Sequence, residues 1–357
     1  MSVINEFNPN IHGLRGLAAV FVFTLHLNHG LAPFISDYNM ISNELILIIK
    51  FISQVGSSGV DIFFIISGYL ITASLVKHRN VKSFLLDRCI RIYPVFLSIH
   101  IPFFLIMPFL GWKWLDGVSF FQWSFFFVTN LLFLPGVFDL KIAQANAWTL
   151  SYEMFFYLTS ALFFCISVNY KGRLKYCFFA AMLLVVFWFF PRSAYFLVGV
   201  IIYFTVTSKP SFIANFNFYP SLMFVLFILL LGPFRSSMPF VGYVIHSHDI
   251  YTKIALIPAF LFFIQIIKGS GFVSKVLRTR FFQFLGTISY SLYLWHAIVL
   301  YIITRFISKF LLLEYEPPVV VVLFIIIAIF FTLLMSWVSF FFIENHLTKL
   351  IKYKIKS

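Results

Sequence analysis

Apolar runs close to the length of a membrane span recur along this chain of 357 residues, separated by short loops that hold most of its charge. A helix needs about 20 such residues to cross a hydrocarbon core of about 30 Å, and each run long enough to do so has few other folds open to it. Only 11% of the residues are charged while 61% are hydrophobic, where a soluble domain carries roughly a quarter charged. The fold class is therefore all-α: a polytopic transmembrane helical bundle lodged in the lipid bilayer. About ten spans are expected, over 11–31, 55–76, 92–110, 148–168, 174–190, 192–208, 218–233, 250–267, 284–308 and 317–343. The net charge of +14 would suit nucleic acid, but the Lys and Arg sit in loops between apolar runs, as membrane topology requires, so no nucleic-acid partner is expected.

One further apolar piece, "FFQWSFFFVTNLLFLPG" over 120–136, is ambiguous. With ten spans and a cytoplasmic N-terminus, fifteen Lys and Arg fall inside, from Lys77, Arg79 and Lys82 to the tail Lys349, Lys352, Lys354 and Lys356. Eight fall outside, among them Lys141 and Arg192. A span at 120–136 would reverse every later loop, so that segment is expected to be re-entrant or peripheral, with both termini cytoplasmic. The chain carries no cleavable signal pattern, internal repeat or linker, and reads as one membrane-embedded domain over 1–357 (core about 11–346) with no soluble domain appended. Cys89, Cys165 and Cys177 suit neither a zinc site nor a disulfide framework.

An ionisable side chain inside a span costs roughly 2.5–3.5 kcal/mol on insertion scales and marks a candidate site. "LRGLAAVFVFTLH" places Arg15 and His26 eleven residues apart. At ~100° and ~1.5 Å per residue they share a helix face and stand ~16 Å apart along the axis. The bland alternatives are an Arg15 that snorkels to headgroups and a His26 that satisfies a buried carbonyl. In "LLDRCIRIYP", Arg88 and Arg91 at i, i+3 share a face and can grip a phosphate; an interfacial basic helix against lipid headgroups would look the same. Pro94 is expected to break that segment from the next span.

Asp61 in "GVDIFFIISGYLI" and Glu153 in "WTLSYEMFFYL" enter their spans from the outer side, at the level of His26. A carboxylate there can orient or charge-stabilise an imidazole. Asp61 equally suits a helix start, where a negative charge is favoured. His296 in "SYSLYLWH" is a mid-helix imidazole, as fit for a structural hydrogen bond as for a pocket. Glu344 near the inner end of the last span reads as structural. "HSHD", with His246, His248 and Asp249, lacks further ligands for a metal site, and no metal is expected.

Taken together, "LRGLAAVFVFTLH", "GVDIFFIISGYLI", "RCIRIYP", "WTLSYEMFFYL", "ISYSLYLWH" and "FFIE" resemble, in order and over residues 11 to about 346, the membrane-bound acyltransferase 3 family of bacterial polysaccharide O-acyltransferases. The family's R-x10-H pair falls on Arg15 and His26, its R-x-x-R pair on Arg88 and Arg91, and the acid of its "WSLSVEEQFY"-like motif on Glu153. Tyr152 before Glu153, Met154 after it, and Asn345 and His346 after the closing "IE" depart from the pattern. The resemblance implies an O-acetyltransferase of the bacterial cytoplasmic (inner) membrane. Acyl-CoA, most simply acetyl-CoA, would be a co-substrate, with no bound cofactor. The acceptor would be a hydroxyl of an exported, lipid-linked or surface carbohydrate such as O-antigen, capsule or exopolysaccharide.

On that reading Arg15, Arg88 and Arg91 bind the donor and His26 is the base, with Asp61 or Glu153 orienting it. Trp148, Ser151, Tyr293 and His296 are candidate substrate-pocket residues. With an ordinary pKa of ~6.5, His26 can take a hydroxyl proton near neutral pH, or form an acyl-histidine. Two other classes suit the same residues. One is a transporter or flippase for an anionic or lipid-linked glycan, which would more often show a repeat; the other is a non-catalytic assembly factor.

Overall fold

The structure, a computed structural model, describes residues 7–35, 43–78, 80–110, 115–169, 190–208, 219–234, 250–310 and 317–356. In chain order the helices are α1 (Pro9–Ile35), α2 (Asn43–Gly56), α3 (Gly59–His78), α4 (Val81–Ile106), α5 (Phe120–Leu131), α6 (Trp148–Asn169), α7 (Ala194–Ser208), α8 (Pro220–Leu231), α9 (Ile250–Ile254), α10 (Leu256–Lys268), α11 (Gly271–Leu277), α12 (Arg280–Phe310), α13 (Pro317–Ser339) and α14 (Thr348–Lys356), with a π-helical stretch Phe340–Leu347 between the last two. No β-sheet occurs among the described residues. The protein is a multi-pass helical membrane protein, as its sequence implies.

Seven apolar stretches among the described residues are long enough to span: Pro9–Phe34, Ile46–Lys77, Val81–Phe109, Trp148–Ile166, Ile250–Lys268, Arg280–Lys309 and Pro318–Ile355. The expected span over 174–190 lies almost wholly outside the described residues. Those over 192–208 and 218–233 appear as helices of 15 and 12 residues, about 22 and 18 Å long and so short of the core thickness. α2 is an addition to the sequence reading, which began its second span only at 55.

Pro94 does not break a span. α4 runs through it without interruption, because helix packing in lipid can compensate for the one backbone donor a proline removes. Val95, Phe96, Ile99 and Phe103 are buried immediately beyond it. Helix starts follow local chemistry. Asn8 caps α1 by accepting from the amides of Asn10 and Ile11 at 2.9 and 3.3 Å, with Pro9 as first helical residue. Asn80 caps α4 through Lys82 and Ser83, and Ser119 with Gln122 forms a capping box on α5.

The chain divides into two compact units. The first holds α1, α2, α3 as far as Leu70, α7 to α12, and α13 as far as Val338. Its centre is the pair α1 and α12, which run parallel. Near one end the His12 ring lies on the Gln283 carbonyl at 3.1 Å and the Thr287 hydroxyl at 3.2 Å. Near the other, the Thr304 hydroxyl reaches the Gly30 carbonyl at 3.4 Å. Between them the backbones touch: a Cβ on Gly16 would stand 2.7 Å from the Gly286 nitrogen. Small residues permit this approach in a medium where dispersion and hydrogen bonds, not water exclusion, hold helices together. Parallel helices in a membrane need an odd number of crossings between them, as the ten-span reading has; a span at 120–136 would make that number even. The same device joins α3 to α7, where a Cβ on Gly68 would run into the Phe196 carbonyl and one on Gly199 into that of Ile65. On α13, Val320, Phe324 and Ala328 are fully covered while Val322, Ile326 and Phe330 are exposed, the pattern of a helix with lipid on one side.

The second unit holds the rest of α3, α4 to α6, the turn Pro191–Ser193 and the chain from Ser339. α5, at 12 residues, is too short to cross and packs on α4, with the Trp123 indole donating to the Phe104 carbonyl at 3.1 Å and the His100 ring on the Phe127 carbonyl at 3.2 Å. The peripheral placement expected for 120–136 agrees with this. After α5 the chain turns through Phe133 at φ 55°. The Asn130 amide then pins the following loop, donating to the Phe126 and Lys141 carbonyls and accepting from the Ala143 amide.

Gly286→Val should be destabilising, because a branched side chain must force α1 and α12 apart. The expected loss is about 1–3 kcal/mol, read as a lower thermal midpoint in detergent.

Candidate functional site

In the first unit α1 is unbroken between Arg15 and His26, so the helical spacing of ~16 Å and the shared face hold. Arg15 sits one turn from His12 and within electrostatic reach of it. At this end α1 meets α11 and α12, where the Gln283 side chain joins the carbonyls of Pro9 and Leu277, both at 2.7 Å. Exposed Lys268, Lys275, Arg278 and Arg280 belong to the same end of the unit. It is a basic end, and Arg15 is its half-buried member.

Eleven residues along, the His26 ring lies between two other imidazoles. That of His29 is 5.6 Å away between centroids, and that of His296 on α12 is 5.0 Å away and tilted by 50°. His29 is exposed and His296 completely buried. Aromatic rings enclose His296: Phe23 meets it edge-on at 6.5 Å, Tyr293 lies at 6.0 Å, and Phe63 of α3 packs on Tyr293 at 5.4 Å. The Nδ1 of His296 lies 3.0 Å from the Leu292 carbonyl, one turn back. A carbonyl only accepts, so Nδ1 carries the hydrogen and Nε2 the lone pair. Asp61 is fully buried in the first turn of α3, where a helix start favours a negative charge. The corner leading into α3 sits on α1 between Arg15 and His26: Gly59 packs on Ala18, Phe21 and Val22, and Gly56 on Phe21, Thr24 and Leu25.

The second unit gathers Arg88, Arg91, Trp148, Ser151 and Glu153. Arg88 donates from Nη2 to the Ser74 hydroxyl at 2.8 Å and lies over the rings of Phe84 and Tyr157, at 5.5 and 6.0 Å. Its Nε is buried without a hydrogen-bond partner. The Tyr157 hydroxyl donates to Glu153, and Arg91 and Glu153 lie within electrostatic reach of Arg88. Within this unit Glu153 meets Tyr157, one helical turn further into α6, whose ring in turn lies against Arg88.

Trp148 and Ser151 close the loop before α6. The Ser151 hydroxyl donates to the Pro135 carbonyl, and Gly136 fits against the Trp148 backbone. The Trp148 ring meets Tyr152 edge-on at 5.4 Å and carries the Arg192 guanidinium on its face, also at 5.4 Å. Arg192, counted near an outer helix end in the sequence, is 5% exposed. The sequence carries no sign of that burial. Tyr157 was detectable, lying at i+4 from Glu153 on one helix face. His246, His248 and Asp249 lie outside the described residues, as does Cys177.

The fold and these clusters define a helical membrane protein with imidazoles and a buried carboxylate in one unit and guanidinium groups and a carboxylate in the other. The chain belongs to the family of the acyltransferase domain, whose match covers residues 8–338. It is similar to the peptidoglycan O-acetyltransferase OatA of Listeria monocytogenes, 29% identical over 191 residues that make up 48% of this chain and 26% of that protein. It is also similar to the acyltransferase MdmB of Streptomyces mycarofaciens, 30% identical over 44% of this chain and 39% of that protein. A third relative, nodulation protein 10 of Rhizobium leguminosarum bv. viciae, is 29% identical over 28% of this chain and 31% of its own length. The matches thus span well under half the length of these relatives. No solved structure matches.

Tyr157→Phe removes the donor to Glu153 while keeping the ring face against Arg88. The expected cost is about 1–3 kcal/mol, measured as a fall in thermal stability, with Leu158→Phe on the exposed side of α6 as the neutral comparison.

Proposed function

We propose that this chain is a membrane O-acyltransferase that moves an acyl group, most simply acetyl, from cytoplasmic acyl-CoA to a hydroxyl of an exported or surface carbohydrate. The observation that carries the reading is the His26 imidazole on α1, eleven residues from Arg15 and beside His296, in a chain of the acyltransferase-domain family. The name of the peptidoglycan O-acetyltransferase relative supports a glycan acceptor.

In this proposal the pantetheine arm lies along α1 from Arg15 toward His26. Arg88, whose Nε is unpartnered, and Arg91 take donor phosphate oxygens through charge-assisted hydrogen bonds. Glu153, held by Tyr157, sets the charge around that pair. His26 accepts the proton of the acceptor hydroxyl as its oxygen attacks the thioester carbonyl; the C–S bond then breaks, and the imidazolium returns the proton to the sulfur, releasing free thiol and the O-acyl ester. Asp61 adds negative charge to the unit in which the imidazolium forms. Trp148 and Ser151 in the second unit, and Tyr293 and His296 in the first, serve as substrate-contacting residues. The site is the bacterial cytoplasmic membrane, with both chain ends cytoplasmic and residues 1–357 acting as one domain.

The test uses membranes containing the full chain, acetyl-CoA labelled in the acetyl group, and cell-envelope glycans of the host. Wild type should label a glycan and His26→Ala should not; equal labelling by the two, or none by wild type, would overturn the proposal. Arg88→Ala and Arg91→Ala should each weaken acetyl-CoA binding about tenfold or more, the equivalent of one charged hydrogen bond. Unchanged affinity would remove them from the donor site.

A further inference from the structure

We propose that His296 is the positioning residue for His26, taking the place that a carboxylate holds in a Ser-His-Asp triad. The proposal rests on the acyl-transfer reading of His26 and adds which group orients it. A neutral imidazole that serves as a base must keep its lone pair toward the incoming hydroxyl, so its N–H must be held on the opposite side. His296 offers what that N–H needs. Its Nδ1 hydrogen is committed to the Leu292 carbonyl, leaving Nε2 as an acceptor. That nitrogen is buried and has no hydrogen-bond partner, a state that costs about 1–3 kcal/mol when no donor arrives.

The spacing fits. Two imidazoles joined by an N–H···N bond of ordinary length have centroids about 5 Å apart, and the rings of His26 and His296 are 5.0 Å apart. They are tilted by 50°, and the proposed bond calls for a rotation of the His26 ring that turns its N–H onto Nε2. When His26 takes the acceptor proton, that bond becomes charge-assisted and strengthens as charge develops. His29 lies at a similar distance, 5.6 Å, but is exposed, so water competes for its nitrogens. His296 is walled by Phe23 and Tyr293, its ring direction set by its own helix. Asp61, the carboxylate of the same unit, lies in the first turn of α3, where the helix start favours its charge.

The experiment compares wild type, His26→Ala, His296→Phe, His296→Gln and His29→Ala as full chains in detergent. The probes are labelled acetyl-CoA and the glycan fraction, with rates taken per folded molecule. His296→Phe fills the same space without an acceptor and should lower kcat about 100-fold, within the range of a disabled general base, while KM for acetyl-CoA stays within about twofold. His296→Gln restores an acceptor oxygen near the Nε2 position and should recover at least tenfold of that loss. His29→Ala should retain the wild-type kcat. If wild type is active and His26→Ala dead, while His296→Phe keeps kcat within twofold or His296→Gln is as slow as the Phe variant, the positioning role is overturned and the acyl-transfer reading stands. A wild type that transfers nothing overturns both.

Discussion

The close parallel contact of α1 with α12 governs the first unit. It exists because Gly16 and Gly286 carry no side chain where the two helices meet. In a bilayer there is little gain from hiding apolar surface, so helices associate through dispersion at short range and through interhelical hydrogen bonds. The contact supplies both: backbone against backbone at Gly16, the His12 ring on Gln283 and Thr287, and Thr304 on Gly30. Once the helices are in register, the residue opposite His26 is no longer free to vary. It is His296, fully buried and walled by aromatic rings, and the two imidazoles meet there.

The second unit solves a different problem, holding guanidinium groups inside a bundle. Arg88 is met by the Ser74 hydroxyl and two ring faces, and Arg192 by the face of Trp148. Ring faces suit a weakly hydrated, planar cation, and they leave its edge N–H groups available. The loop before α6 is equally built, by Asn130 at one end and by Ser151 and Gly136 at the other. A segment with no room to span is thereby held in a defined shape, and it leads into Trp148, on whose ring Arg192 of the turn Pro191–Ser193 lies.

Much of this was legible in the residues themselves. Long apolar runs define helices in lipid because no other structure satisfies the backbone there. Arg15 and His26 could be placed on one face because helical phase depends only on spacing, and the unbroken α1 kept that phase. Asp61 could be read as a residue of a helix start, where it lies. Local rules misled where tertiary packing overrode them. Pro94 read as a break, yet α4 continues through it because its neighbours pack on both sides of it. Arg192 was counted near a helix end, with no sign in its neighbours along the chain that Trp148 would cover it.

What the sequence determined by itself was the solvent and the periodicity: a chain that must be helical, must lie in lipid, and carries an expensive arginine and histidine three turns apart. Those are properties of single segments, set by composition and by the 3.6-residue turn. Only the tertiary structure decided the partners. That His296 faces His26, that Arg192 lies under Trp148, and that Glu153 joins Arg88 depend on which helices touch and at what height. Those heights are set by the depth at which one glycine lets another helix approach, a quantity summed over contacts far apart in the chain and absent from any one stretch of it.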